Sequence, residues 1–69
     1  MTHQDIRKLA SRRPFRPFLI HLTDGQTVNI RREEEIRLHP HTKKTFVVFE
    51  SDGGYWIIDL SQVAALQVA

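Results

Sequence analysis

Phe18-Leu19-Ile20-His21-Leu22-Thr23-Asp24-Gly25-Gln26-Thr27-Val28-Asn29-Ile30 is a β-hairpin written as period-2 alternation on both sides of a turn. Its register decides the fold class. A two-residue Asp24-Gly25 loop would set Ile20 opposite Asn29 and Leu22 opposite Thr27, so the apolar faces would disagree. A three-residue loop, Thr23-Asp24-Gly25, sets Phe18 opposite Ile30, Ile20 opposite Val28 and Leu22 opposite Gln26. The apolar residues then share one face. This loop is a type I turn followed by a bulge, with Gly25 in the left-handed conformation. A slip of one residue would turn the whole set outward, so the second register is expected.

Outward from the hairpin, the N-terminal side reads as a short helix over about residues 3–12. Thr2 caps it, and Asp5 takes the place of the usual Glu in a capping box. Met1 and Ile6 have the spacing of a hydrophobic staple. Ile6, Leu9 and Ala10 form the apolar stripe, and Arg12 and Arg13 suit the negative end of the helix dipole. Pro14 stops the helix. Arg13-Pro14-Phe15-Arg16-Pro17 is then an extended connector, with Phe15 plugging the helix onto the strands and Pro17 opening an edge strand.

On the C-terminal side, Arg31-Arg32-Glu33-Glu34-Glu35 reads as a solvated bend. Strands are expected at about 17–23, 26–31, 35–39, 44–50, 54–60 and 64–68. Thr45-Phe46-Val47-Val48-Phe49 is the strongest of them, being β-branched and aromatic throughout. Ser51-Asp52-Gly53-Gly54 is a turn, Ser61-Gln62-Val63 a tighter one, and Thr42-Lys43-Lys44 a loop tip. A C-terminal helix from Ser61 is the alternative to the last strand, since Ala and Leu favour it. The expected architecture is mainly β (α+β): a short N-terminal helix on one strongly bent, five- or six-stranded antiparallel sheet, SH3-like or Sm-like.

The two central strands are apolar on both faces. Phe46 and Val48 oppose Val47 and Phe49; Trp56 and Ile58 oppose Tyr55 and Ile57. One face fills the interior of a curled sheet, and the short helix covers only part of the other. Leftover apolar surface on a small domain points to a partner. A homo-oligomer is therefore expected, with Val47, Phe49, Tyr55 and Ile57 in the interface.

Composition sets the outer bounds. Sixty-nine residues form one domain at most, and chains of this size often need support. With no cysteine, disulfides and thiolate metal sites are removed, which fits a reducing, cytoplasmic setting. The polar N-terminus carries no signal-peptide pattern, and no apolar run approaches the roughly 20 residues needed to span a bilayer. Net charge is only +2. Within residues 1–16, however, Arg7, Lys8, Arg12, Arg13 and Arg16 face only Asp5, which leaves about +4 there by formal charge. Arginines pair phosphates bidentately, and Phe15 could stack a base. These five cations are the candidate contacts for RNA or single-stranded nucleic acid.

Catalytic patterns are missing. Ser11, Ser51 and Ser61 sit in no nucleophile motif, and Gly53-Gly54 leads into a strand rather than a lysine and a helix. A non-enzyme without cofactor or small-molecule substrate is expected. His39-Pro40-His41 is the best metal candidate, with His3 and His21 as further donors, but its spacing matches no zinc module. A surface turn is the expected reading.

Taken together, Arg13-Pro14-Phe15-Arg16-Pro17-Phe18, Asp24-Gly25, Asp52-Gly53-Gly54 and Ile57-Ile58-Asp59-Leu60 resemble an uncharacterised family of bacterial proteins of about this length. That resemblance brings a pattern rather than an activity. More distantly, the order of elements, Leu22-Thr23-Asp24-Gly25 and Ile57-Ile58-Asp59-Leu60-Ser61-Gln62-Val63 are similar to the Sm-like fold of Sm proteins and the RNA chaperone Hfq. The resemblance implies a bent five-stranded sheet, ring assembly through strand edges and RNA at a pore. The Asp-Met-Asn and Arg-Gly signatures of Sm proteins do not occur here. Asp59-Leu60 stands where Hfq has Lys-His, and an acid there would repel phosphate.

The expected functions are thus an oligomeric binding module, with RNA as its most specific ligand, or a protein-interaction and regulatory module using an exposed strand edge.

Overall fold

Ile6, Phe18, Ile20, Val28, Ile30, Ile36, Phe46, Val48, Ile58, Leu60 and Val63 form a single apolar core. The computed structural model describes residues 2–39 and 44–68. Around that core run one helix, α1 (His3–Ala10), and six strands: β1 (Phe18–Leu22), β2 (Thr27–Ile30), β3 (Ile36–Leu38), β4 (Thr45–Phe49), β5 (Tyr55–Asp59) and β6 (Val63–Val68). The strands make two antiparallel three-stranded sheets: sheet A in the order β2-β1-β6 and sheet B in the order β3-β4-β5. The single bent sheet is therefore corrected to two, and they do not close into a barrel. The break falls at Arg31–Glu35. A 3-10 turn over Glu33–Glu35 separates β2 from β3. The Glu35 carboxylate fixes this corner by accepting the Arg31 and Arg32 amides at 2.7 and 3.1 Å.

The first hairpin has the three-residue loop that its apolar pattern requires. Phe18 lies opposite Ile30 and Ile20 opposite Val28. The Leu22 amide donates to the Gln26 carbonyl, the Gly25 amide donates to the Leu22 carbonyl, and Gly25 sits at φ 92°. Asp24 accepts the Gln26 amide at 3.0 Å, closing the turn from its side chain.

Helix α1 starts as its sequence dictates. The Thr2 amide donates to the Asp5 carboxylate at 3.0 Å, and the Thr2 hydroxyl accepts from the Asp5 amide at 3.4 Å. The staple residue Met1 lies outside the described residues. The helix ends at Ala10 with Ser11 as its C-cap, short of the expected residue 12. Arg12 and Arg13 thus lie beyond it, and Arg7 and Lys8 occupy the basic last turn. Helix α1 packs beside β3. Ile6 and His3 are buried, and Ile6 joins the core.

Pro17 precedes β1 rather than opening an edge strand, because β1 is the centre of sheet A. Phe15 is half-buried and meets the Phe18 ring at 6.1 Å between centroids, so it does plug the connector onto the core. At the C-terminus, a 3-10 turn over Leu60–Gln62 leads into β6. Residues 63–68 are strand, not helix: Ile20 pairs with Leu66 and Phe18 with Val68. Backbone pairing with β1, together with the burial of Val63 and half-burial of Leu66, outweighs the helical preference of Ala64, Ala65 and Leu66.

Candidate functional site

The β4–β5 hairpin repeats the turn of the first one. Its loop is Ser51-Asp52-Gly53, with Gly53 at φ 94°. The Glu50 amide donates to the Gly54 carbonyl at 2.8 Å, Gly53 donates to Glu50 at 3.1 Å, and Asp52 accepts the Gly54 amide at 2.8 Å. The turn fixes the register: Phe49 opposite Tyr55, Val48 opposite Trp56, Val47 opposite Ile57, Phe46 opposite Ile58 and Thr45 opposite Asp59.

That register sorts the side chains. Phe46, Val48 and Ile58 enter the core. Val47, Phe49, Tyr55 and Ile57 share the outer face of sheet B, and Arg37 of β3 continues the Val47–Ile57 row. Tyr55 is 65% exposed, Ile57 67% and Phe49 44%. Phe49 and Tyr55 rings stand 6.2 Å apart, tilted by 46°. The four residues expected to face a partner are therefore neighbours on one surface, Val47 being half-buried.

Strand β5 is also an edge. Because Glu50 and Gly54 form a hydrogen-bonded pair, alternation makes Trp56 and Ile58 point their backbone groups at β4. Tyr55, Ile57 and Asp59 then direct theirs away from β4. No described residue pairs with them through the backbone. Beside this edge lies an open groove of about 180 Å³, bordered by Leu22, Asp24, Gln26 and Gln62. Asp59 ends the strand, and its carboxylate accepts the Ser61 amide at 2.9 Å. This hydrogen bond holds the Asp59 carboxyl below the usual aspartate range.

The five basic candidates are all at the surface. Arg7 and Lys8 belong to α1; Arg12, Arg13 and Arg16 follow it. They do not act as one cluster of equal charges, because Arg13 is engaged by Glu33 at 2.6 Å. The fold adds a cation that the sequence reading missed. Arg37 lines a shallow groove between α1 and β3 together with Arg7, Arg13 and Glu33. Period-2 alternation of Ile36-Arg37-Leu38 was its signal, since it turns Arg37 away from the core.

A cleft of about 250 Å³ lies between β2 and the turn end of the second hairpin, lined by Asn29, Arg31, Glu35, Glu50 and Trp56 among others. Its carboxylates have structural duties: Glu35 at the 3-10 corner and Glu50 accepting the Trp56 indole N–H. Among the described residues no group of three or more His, Cys, Asp or Glu side chains could hold a metal ion. Of the histidine motif, Pro40 and His41 lie outside the described residues. His21 is on the outer face of sheet A, with Nε2 2.8 Å from Gln67 Oε1, and His3 is buried in the first turn of α1. Among the described residues no helix is long and apolar enough to cross a membrane.

No family model, curated protein or solved structure matches this chain.

Proposed function

We propose that this chain is a small, non-enzymatic binding module that self-associates through the outer face and edge of sheet B. The observation that carries this is the exposure of Tyr55 and Ile57 beside Phe49 on an edge strand. Edge strands of monomeric proteins are commonly blunted by lysine, proline or a bulge. Strand β5 has no lysine, proline or bulge, and its one charge, Asp59, lies at its end. A second copy is the natural partner, because β5 presents unpaired backbone groups at its edge beside an apolar row.

The fold reading that accompanies this is an SH3-like, Sm-like small barrel left open between its two sheets. The support is a helix followed by short antiparallel strands, with the last returning beside the first. A cysteine-free chain accords with a cytoplasmic setting.

Light scattering on the gel-filtration peak tests the assembly. The wild type is expected at a multiple of its 8.1 kDa chain mass. Ile57→Lys should return it toward that mass, while Thr27→Lys on the outer face of sheet A should not. A wild type that stays at the chain mass at every concentration would reject the proposal.

A second reading rests on a different observation, the exposure of Arg7, Lys8, Arg12, Arg13 and Arg16 along the N-terminal segment. It takes RNA or single-stranded nucleic acid as the ligand. Such binding would fall steeply with salt and be lost in an Arg12→Ala, Arg13→Ala, Arg16→Ala triple variant with assembly intact. Binding unchanged in the triple variant would remove this site.

A further inference from the structure

The β5 edge is self-complementary in one register. We infer that two copies pair their β5 strands antiparallel about a two-fold axis at Ile57, joining the two B sheets into one continuous six-stranded sheet. This rests on the self-association proposed above and adds its geometry.

Three observations converge on Ile57. First, it is the midpoint of Tyr55–Asp59, so only this centre matches the whole strand to itself. Second, the residues whose backbone groups face outward are Tyr55, Ile57 and Asp59, as the pairing with β4 requires. Centring on Ile57 makes Ile57 with its copy, and Tyr55 with the copy's Asp59, hydrogen-bonded pairs, so every outward donor and acceptor finds a partner. Third, the side chains agree. The outer face gains an unbroken row of Arg37, Val47 and Ile57 followed by the same residues in reverse. Tyr55 comes opposite the copy's Asp59, which ends the strand by accepting the Ser61 amide. An interface built on two five-residue strands is small for a stable complex, so the dimer fraction should rise with concentration.

Because the chain has no cysteine, single substitutions read the register directly. A hydrogen-bonded antiparallel pair places its Cα atoms about 5.5 Å apart, within disulfide reach. Ile57→Cys under mild oxidation should give a thiol-reversible covalent dimer on a non-reducing gel. Tyr55→Cys should not, since the two copies of residue 55 would be offset by four residues, roughly 13 Å. Thr27→Cys, on sheet A, should also stay monomeric on the gel. Circular dichroism should show all three folded, since each position is at the surface.

A dimer by light scattering that is lost in Ile57→Lys but shows no Ile57→Cys cross-link would overturn this register while leaving self-association through sheet B standing. A cross-link at Tyr55→Cys as strong as at Ile57→Cys would also overturn it. A wild type that stays at the chain mass at all concentrations would overturn both.

Discussion

In the β1–β2 hairpin the loop Thr23-Asp24-Gly25 holds Gly25 at φ 92°; in the β4–β5 hairpin Ser51-Asp52-Gly53 holds Gly53 at φ 94°. The backbone bonds match, and in each the aspartate accepts the amide two residues on. Both hairpins send one alternate set into the core. Their outer faces differ. Beside β1, the outer positions are Leu19, His21, Thr27 and Asn29, with His21 bonded to Gln67 and 3.4 Å from the Thr27 hydroxyl. Beside β4, they are Val47, Phe49, Tyr55 and Ile57. Identical turns thus set identical registers, and only the outward residues separate a mostly polar outer face from an apolar one. Turn chemistry explains fold; outer-face chemistry is where function has to be sought.

The largest effect should come where the hairpins are alike. Phe18→Ala and Phe46→Ala each empty a site now 1% exposed, and each should cost about 3–5 kcal/mol by chemical denaturation. A loss confined to one of them would break the equivalence of the two inner faces. Next come the turn glycines. A Cβ at Gly25 or Gly53 would meet nothing within 4 Å, so the cost is backbone strain alone. Gly25→Ala and Gly53→Ala should each lose about 1–2 kcal/mol, by the same measurement. Unequal losses would show that the two turns are held differently.

Outer-face substitutions should separate the hairpins at lower energy. Ile57→Lys and Thr27→Lys should each shift the stability of the single chain by no more than about 0.5 kcal/mol. Only the first should change molar mass. If both did, the contrast between the outer faces would fail.

The smallest effect is acid sensitivity. Bonds from Gln26 lower the Asp24 carboxyl below its ordinary value, as those from Thr2 lower Asp5 and those from Ser61 lower Asp59. Each folded-state value lies below the unfolded one, near 3.9. The stabilisation is thus present above that pH and is lost as pH falls through the folded value. The part of the acid limb that these three carboxyls contribute should appear in thermal melts as a decline below about pH 4. Asp24→Asn should make the decline shallower. An unchanged acid limb would show that the Asp24 charge adds nothing to the turn.

The hairpin register, the helix cap and the turn at Gly53 were legible because each is local: a few residues carry both the pattern and its cause. The division into two sheets was not. Ile36-Arg37-Leu38 alternates identically whether β3 continues β2 or leaves it, and the break depends on Glu35 folding back onto the Arg31 and Arg32 amides. The β6 strand was undecided for a related reason. Ala64-Ala65-Leu66 is locally helical, and only pairing with β1, far away in sequence, makes it a strand. At the candidate sites, alternation alone put Val47, Phe49, Tyr55 and Ile57 on one face. The basic run was legible as composition, whereas the Arg13–Glu33 pair that divides it needed the fold.

The place of β1 between β2 and β6 has a consequence for synthesis. Sheet B is a meander, so its three strands can pair as soon as they leave the ribosome. Sheet A cannot. Its central strand is made early, yet one of its two neighbours is Val63–Val68. Until those residues emerge, β1 offers an unsatisfied edge to whatever lies nearby, including another nascent copy. Completion of sheet A is therefore gated by β6: translation must run through residues 63–68 before the β1 hairpin is shielded.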